Sequence, residues 1–179
     1  MSTLLLWFHP EHEKSRTGRA LADAAAALDG VTLVNMAALY PDIRTLDVGV
    51  EVARLLAADR LILQFPIHWY LPPPLLLAWQ NSVLTRMFYI KPEEEGARIK
   101  GMPLLVAATA GNTPEAYSPE GVNLFPLADL LKPLHSTAHR CALAWSDPFL
   151  VYRANRLDEA QRAAAAADYA VRIEDWRAA

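Results

Sequence analysis

The stretch Leu61-Ile62-Leu63-Gln64-Phe65-Pro66-Ile67-His68-Trp69-Tyr70-Leu71-Pro72-Pro73-Pro74-Leu75-Leu76-Leu77-Ala78-Trp79 decides the fold. Its apolar run stops at Pro66, which has no backbone N–H to continue a strand ladder. Pro73 or Pro74 then opens an apolar segment reaching Thr85, with proline in the first turn, where a helix tolerates it. Strand, loop and helix in that order make half of a βαβ unit. Ile67 to Tyr70 therefore form a loop at the carboxyl end of a strand, the place where open α/β sheets bind ligands.

The same alternation extends in both directions. Thr3 to Phe8 is an apolar strand ending at His9-Pro10, and a helix from Ser15 to about Leu28 is closed by Gly30. Val31 to Val34 is a second strand, Tyr40-Pro41-Asp42 a turn, and Val48 to Ala58 a helix with Asp47 as its cap. After the third strand and helix, Arg86 to Gly101 reads as an exposed irregular excursion near the site. Met102 to Ala108 is a fourth strand, and Phe125 to Leu131 a short helix stopped by Pro133. Leu143 to Trp145, continuing through Phe149 to Val151, makes the fifth strand. A last helix from Leu157 to about Trp176 places Tyr169, Ile173 and Trp176 on one face. Strands separated by helices imply right-handed crossovers and a parallel sheet. The expected architecture is a single α/β domain over 1–179: a doubly wound, five-stranded parallel sheet of order 2-1-3-4-5 with helices on both faces.

Composition narrows the function classes. Hydrophobic residues make up 53% of 179, enough for a substantial core and incompatible with disorder. A net charge of −3 from 17 basic and 20 acidic residues leaves no nucleic-acid footprint. Cys141 is the single cysteine, so no intrachain disulfide forms and a reducing cytoplasm is expected. Met1 to Phe8 lacks the basic leader of a signal peptide, and no run approaches the roughly 20 apolar residues of a membrane span.

In the expected sheet, strands one, three and four are neighbours, so three loops converge: His9 to Gly18, Pro66 to Tyr70, and Thr109 to Tyr117. The first leads into a helix whose free N–H groups and dipole attract phosphate, with Ser15, Arg16, Thr17 and His9 as further donors. Neither a Gly-x-Gly-x-x-Gly dinucleotide fingerprint nor a Gly-Lys-Ser/Thr loop is present, so a single phosphate is the economical ligand. In the second loop the rings of Trp69 and Tyr70 suit a flat, conjugated partner, with a flavin as the leading candidate. In the third, Gly111 permits close backbone approach to a ring edge and Tyr117 offers a phenolic donor.

The chain resembles the flavodoxin-like NAD(P)H:quinone oxidoreductases, and within them the ancillary oxidoreductases of glutathione-regulated potassium-efflux systems. The resemblance is carried by His9-Pro10, Ser15, Leu39-Tyr40-Pro41-Asp42, Gln64-Phe65-Pro66-x-x-Trp69-Tyr70, Pro73-Pro74 ahead of Trp79, Gly101, Ala138 to Cys141, and Trp145-x-x-Pro148-Phe149. It implies FMN as cofactor, with FAD open beside it, and NADPH or NADH as reductant. It also implies a quinone-type acceptor, with azo and nitro compounds as the alternative substrates. His9, Ser15, Arg16, Thr17 and Gly18 would hold the phosphate and ribityl chain. Pro66, Ile67, His68, Trp69 and Tyr70 would line one edge of the ring, and Thr109, Ala110, Gly111 and Asn112 the other. Tyr117 would lie near flavin or quinone, and the His68 imidazole would serve proton transfer.

The resemblance further implies a homodimer whose interface completes the site. The contrasting reading is a flavin-poor regulatory subunit docking on a potassium-efflux antiporter, peripheral at the inner membrane face. This chain departs from its relatives at Ala110 and Asn112, where they have Thr and Gly, at Gly18, where they often have Asn, and at Asn123, where some have His. It departs again in Lys91-Pro-Glu-Glu-Glu-Gly96, which replaces a glycine-rich segment. His135 and His139 have the i, i+4 spacing of zinc ligands but no evident third partner, so no metal is expected. Cys141 reads as an inert core thiol.

Overall fold

The computed structural model describes residues 1–179. In chain order its elements are β1 (Thr3–Trp7), α1 (Arg16–Ala26), β2 (Val31–Asn35), the single turn α2 (Met36–Leu39), α3 (Val48–Leu56) and β3 (Arg60–Pro66). They continue with α4 (Pro74–Trp79), β4 (Pro103–Thr109), α5 (Lys132–Arg140), β5 (Ala144–Trp145), β6 (Phe149–Val151) and α6 (Glu159–Ala178). All strands pair in parallel in the order β2-β1-β3-β4-β5, with β6 also on β4. The order 2-1-3-4-5 is therefore as expected. The fifth strand is broken in two by Ser146-Asp147-Pro148, where proline cannot donate to the ladder.

Period-2 alternation sorts the strand side chains onto two cores. Leu4, Leu6, Phe8, Leu61, Leu63, Phe65, Leu104 and Val106 face one side with Trp79 and Val52. Leu5, Trp7, Ile62, Leu105 and Ala107 face the other, against Leu21, Ala22 and Ala25 of α1 and Tyr169, Ile173 and Trp176 of α6. Helices thus cover both faces, and α1 and α6 share one. Phe8, Phe65 and Trp79 are essentially fully buried, so truncating any of them to alanine costs about 3–5 kcal/mol.

Expectations for two segments need correction. The helix opened by Pro74 does not stop at Thr85. It continues as wider π-type turns over Gln80–Leu84 and Arg86–Ile90, closed by Lys91 N–H on the Arg86 carbonyl at 2.8 Å. Met87 is buried on that extension, which explains why the chain stays helical there. The shortened excursion is not fully exposed. Glu95 is buried and accepts two bonds from Arg86 Nε and one from Nη2, at 2.6–3.1 Å. A Cβ at Gly96 would meet the Met87 carbonyl at 2.5 Å, so only glycine fits beneath it. The second correction concerns Pro133, which does not stop a helix but starts α5, in the first turn where its missing N–H costs nothing. Leu127–Leu131 ahead of it is a 3₁₀ turn.

Candidate active site

The carboxyl ends of β1, β3, β4 and β6 open on one cleft of about 490 Å³, within the usual range for small-molecule sites. The ladder carries on past the strands: Ile67 N–H donates to the Thr109 carbonyl and Ala110 N–H to that of Val151, both at 2.8 Å. The loops that form the walls are therefore fixed to the sheet.

The α1 wall is open to a ligand. Ser15 stands at the N-cap in extended conformation, yet its hydroxyl makes no capping bond although the residue is 9% exposed. An unpartnered hydroxyl open to the cleft, beside the free N–H groups of a helix terminus, suits a phosphate. By contrast, α6 is closed by a reciprocal capping box between Asp158 and Gln161. His9 Nδ1 accepts the Glu11 N–H at 3.1 Å, which leaves Nε2 as the protonated donor of a neutral ring. Burial, reinforced by the nearby His68 and His12, lowers the His9 pKa.

Thr17 behaves differently from the expectation. Its hydroxyl lies 2.5 Å from the Ala154 carbonyl and donates to it, so that proton is spent on a fourth loop rather than on a ligand. That loop, with Asn155, Leu157 and Arg162 behind it, lines the cleft together with Glu11 and Lys14 of the first loop. Ala154, Asn155, Leu157 and Arg162 lay outside the three expected loops. The signal available in the sequence was the position of Ala154 to Leu157, just beyond the fifth strand and so at the same sheet edge.

The cleft gathers His9, Ser15, Arg16, Thr17, Gly18, Pro66, Ile67, His68, Thr109, Ala110 and Gly111. Trp69, Tyr70, Asn112 and Tyr117 are not on its wall. Reciprocal bonds between His68 and Leu71 at 3.0 and 3.1 Å close a tight turn whose tip, Trp69 and Tyr70, has φ of 47° and 65°. Left-handed backbone in non-glycine residues costs about 1–2 kcal/mol each. It also swings Trp69 outward, where it is 90% exposed. Asn112 folds its side chain back onto Thr113 N–H at 3.0 Å, and so does not crowd the cleft. Tyr117 packs against Tyr152 at 5.8 Å between ring centroids, and burial raises its pKa, with Tyr70 and Tyr152 nearby. The Tyr70 hydroxyl reaches Asn123 Oδ1 at 3.2 Å. His135 stacks on Trp145 at 4.6 Å, away from the cleft.

The sequence profile of the flavodoxin-like fold matches residues 1–173. The chain belongs to the flavodoxin-like fold family. Among its flavodoxin-like relatives, the uncharacterized NAD(P)H oxidoreductase YdeQ of Bacillus subtilis (strain 168) is 34% identical over 97% of this chain and 86% of its own. The glutathione-regulated potassium-efflux system ancillary protein KefF of Klebsiella pneumoniae (strain 342) is 32% identical over 98% of this chain and 97% of its own. General stress protein 14 of Treponema denticola, solved in complex with FMN, superposes with a TM-score of 0.87 at 28% identity, covering 98% of this chain and 99% of that one. No helix of the flavodoxin-like domain is long and apolar enough to cross a membrane.

Proposed function

We propose that the protein is an FMN-dependent NAD(P)H oxidoreductase that reduces a quinone-type small molecule. The observation that carries this reading is the open terminus of α1, where buried Ser15 presents an unpartnered hydroxyl into the cleft. One phosphate site favours FMN over FAD. The relatives named for NAD(P)H oxidation and solved with FMN support the same reading.

In this account the α1 N–H groups, the Ser15 hydroxyl and His9 Nε2 hold the phosphate and ribityl end. Backbone at Ile67 and His68 flanks one ring edge, and Ala110 and Gly111 the other. Buried Ile67 excludes water from the ring. The bound flavin would supply hydride acceptance from NADPH or NADH and two-electron transfer onward. Tyr117, set off the cleft wall against Tyr152, keeps its phenolic proton at neutral pH and in this account donates to the part of the acceptor that extends past the cleft. His68, exposed at the mouth, delivers a proton to the reduced acceptor.

Trp69, Leu71, Val122, Leu124 and Phe125 are all more than half exposed, an apolar set that favours an interface. We assign it to a second copy of the chain, giving a homodimer that encloses the acceptor. Docking on a membrane antiporter, from a cytoplasmic and peripheral position, is the second reading, favoured by the same patch and by the potassium-efflux relative.

The test is anaerobic NADPH oxidation by FMN-loaded protein with menadione as acceptor. Stoichiometric quinone reduction is expected, with His68→Ala shifting the pH profile. An unchanged profile would remove His68 from the chemistry. FMN-loaded protein that NADPH cannot reduce would remove the reductase reading. Reduction of azo or nitro probes in preference to menadione would reassign the acceptor. A monomer at micromolar concentration would turn the patch over to the antiporter.

A further inference from the structure

We propose that Arg162, on the first turns of α6, is a second anion-binding group of the cleft that faces the open end of α1 and selects for a phosphorylated ligand. The inference rests on the flavin reading above and extends the phosphate site to a wall that the three sequence loops do not include.

The two helices run side by side in the same direction. At their carboxyl ends Arg177 Nη2 donates to the Asp29 carbonyl at 2.7 Å. At their amino ends the Thr17 hydroxyl donates to the Ala154 carbonyl, just ahead of α6. Both amino termini therefore lie at the cleft. At α6 the Asp158 carboxylate takes the Gln161 N–H, whereas the Ser15 side chain caps none of the α1 N–H groups. What α6 contributes instead is the guanidinium of Arg162, which lines the cleft.

That guanidinium lacks charge compensation. Its Nη1 donates to the Leu157 carbonyl at 2.5 Å, which fixes its orientation and leaves four of its five N–H donors. It belongs to none of the ion pairs of the protein. Of the other cations on the cleft wall, Lys14 is neutralised by Glu11 and Arg16 is exposed to solvent. Arg162 is the half-buried one, and a half-buried charge without a counter-ion is stabilised by an arriving anion. The Ser15 hydroxyl, also without a partner, lines the same cleft.

The test compares FMN with riboflavin, which lacks the phosphate, by fluorescence quenching on wild-type protein, Arg162→Gln and Arg162→Lys. Arg162→Gln is expected to weaken FMN about ten- to hundredfold, the size of one charge-assisted bond, and to leave riboflavin within about twofold. Arg162→Lys should recover part of the FMN affinity, and the salt dependence of FMN binding should flatten in Arg162→Gln. Equal weakening of both flavins, or of neither, overturns the assignment while wild-type FMN binding keeps the flavin reading intact. Wild-type protein that binds neither flavin overturns that reading and this inference with it.

Discussion

Ser15 and Gly18 share one small space at the mouth of α1: a Cβ built on Gly18 would come within 2.6 Å of Ser15 Oγ. The glycine leaves the hydroxyl free to stay in the cleft. Gly18→Ala should therefore separate folding from binding. Alanine is favoured over glycine inside a helix by about 0.5–1 kcal/mol, so thermal stability should hold or rise. The displaced Ser15 hydroxyl should weaken FMN about tenfold, the cost of one hydrogen bond to a charged group. Parallel melting and FMN titration check the split. Loss of stability with unchanged FMN affinity would contradict it.

Thr17 joins α1 to the loop after β6, across a sequence separation of 137. Thr17→Val keeps the shape and removes the donor, leaving the Ala154 carbonyl short of a partner. Stability should fall by about 1–2 kcal/mol, and Thr17→Ser should restore most of it. Urea unfolding of the three proteins is the measurement.

Glu51 is fully buried and accepts from the Tyr40 hydroxyl at 2.9 Å, Trp79 Nε1 at 3.2 Å and Arg54 Nε at 3.3 Å. Glu51→Ala leaves those donors unpaired and should cost about 3–5 kcal/mol. Burial first, and Glu51 second, push the Tyr40 phenol up to about 12. The folded state therefore holds that proton more tightly than the unfolded chain. Stability should decline from about pH 10, the free tyrosine value, and level off above 12. Tyr40→Phe should flatten this alkaline decline, read as denaturation midpoints against pH.

His9 works in the opposite direction. Its folded pKa is lowered from 6.5 by burial, with His68 and His12 adding to the effect, so the unfolded chain binds the proton more readily. The unliganded protein should be at full stability above pH 6.5 and lose some as pH falls through the folded value. His9→Asn should reduce the acid sensitivity. Urea midpoints at about pH 5 and about pH 7.5, bracketing the free histidine value, would show the difference.

Most of the sheet was legible because its strands are short apolar runs bounded by Pro66 or His9-Pro10 after them or by Gly30 before them, and burial on both faces leaves few alternatives. The helix ends were less legible, since the same proline that breaks a helix also begins one. Pro133 shows this, and only the packing of Leu134 and Ala138 into the core tells the two uses apart. Of the site, the α1 loop could be read from residue chemistry. The direction of Trp69 could not, because it depends on two left-handed residues that no side-chain preference encodes. Arg162 was hidden for another reason: one arginine ahead of an alanine tract reads as solvated until Thr17 and Ala154 bring its helix to the cleft.

The central claim is that the cleft beside Ser15 holds a reducible flavin. The most direct measurement is the visible spectrum of the protein titrated with FMN and then with NADPH under anaerobic conditions, with Ser15→Ala alongside. The account predicts saturable FMN bands that bleach on NADPH addition, with weaker uptake by Ser15→Ala. Folded protein that shows no FMN uptake at saturating concentration, or equal uptake by Ser15→Ala, would contradict it.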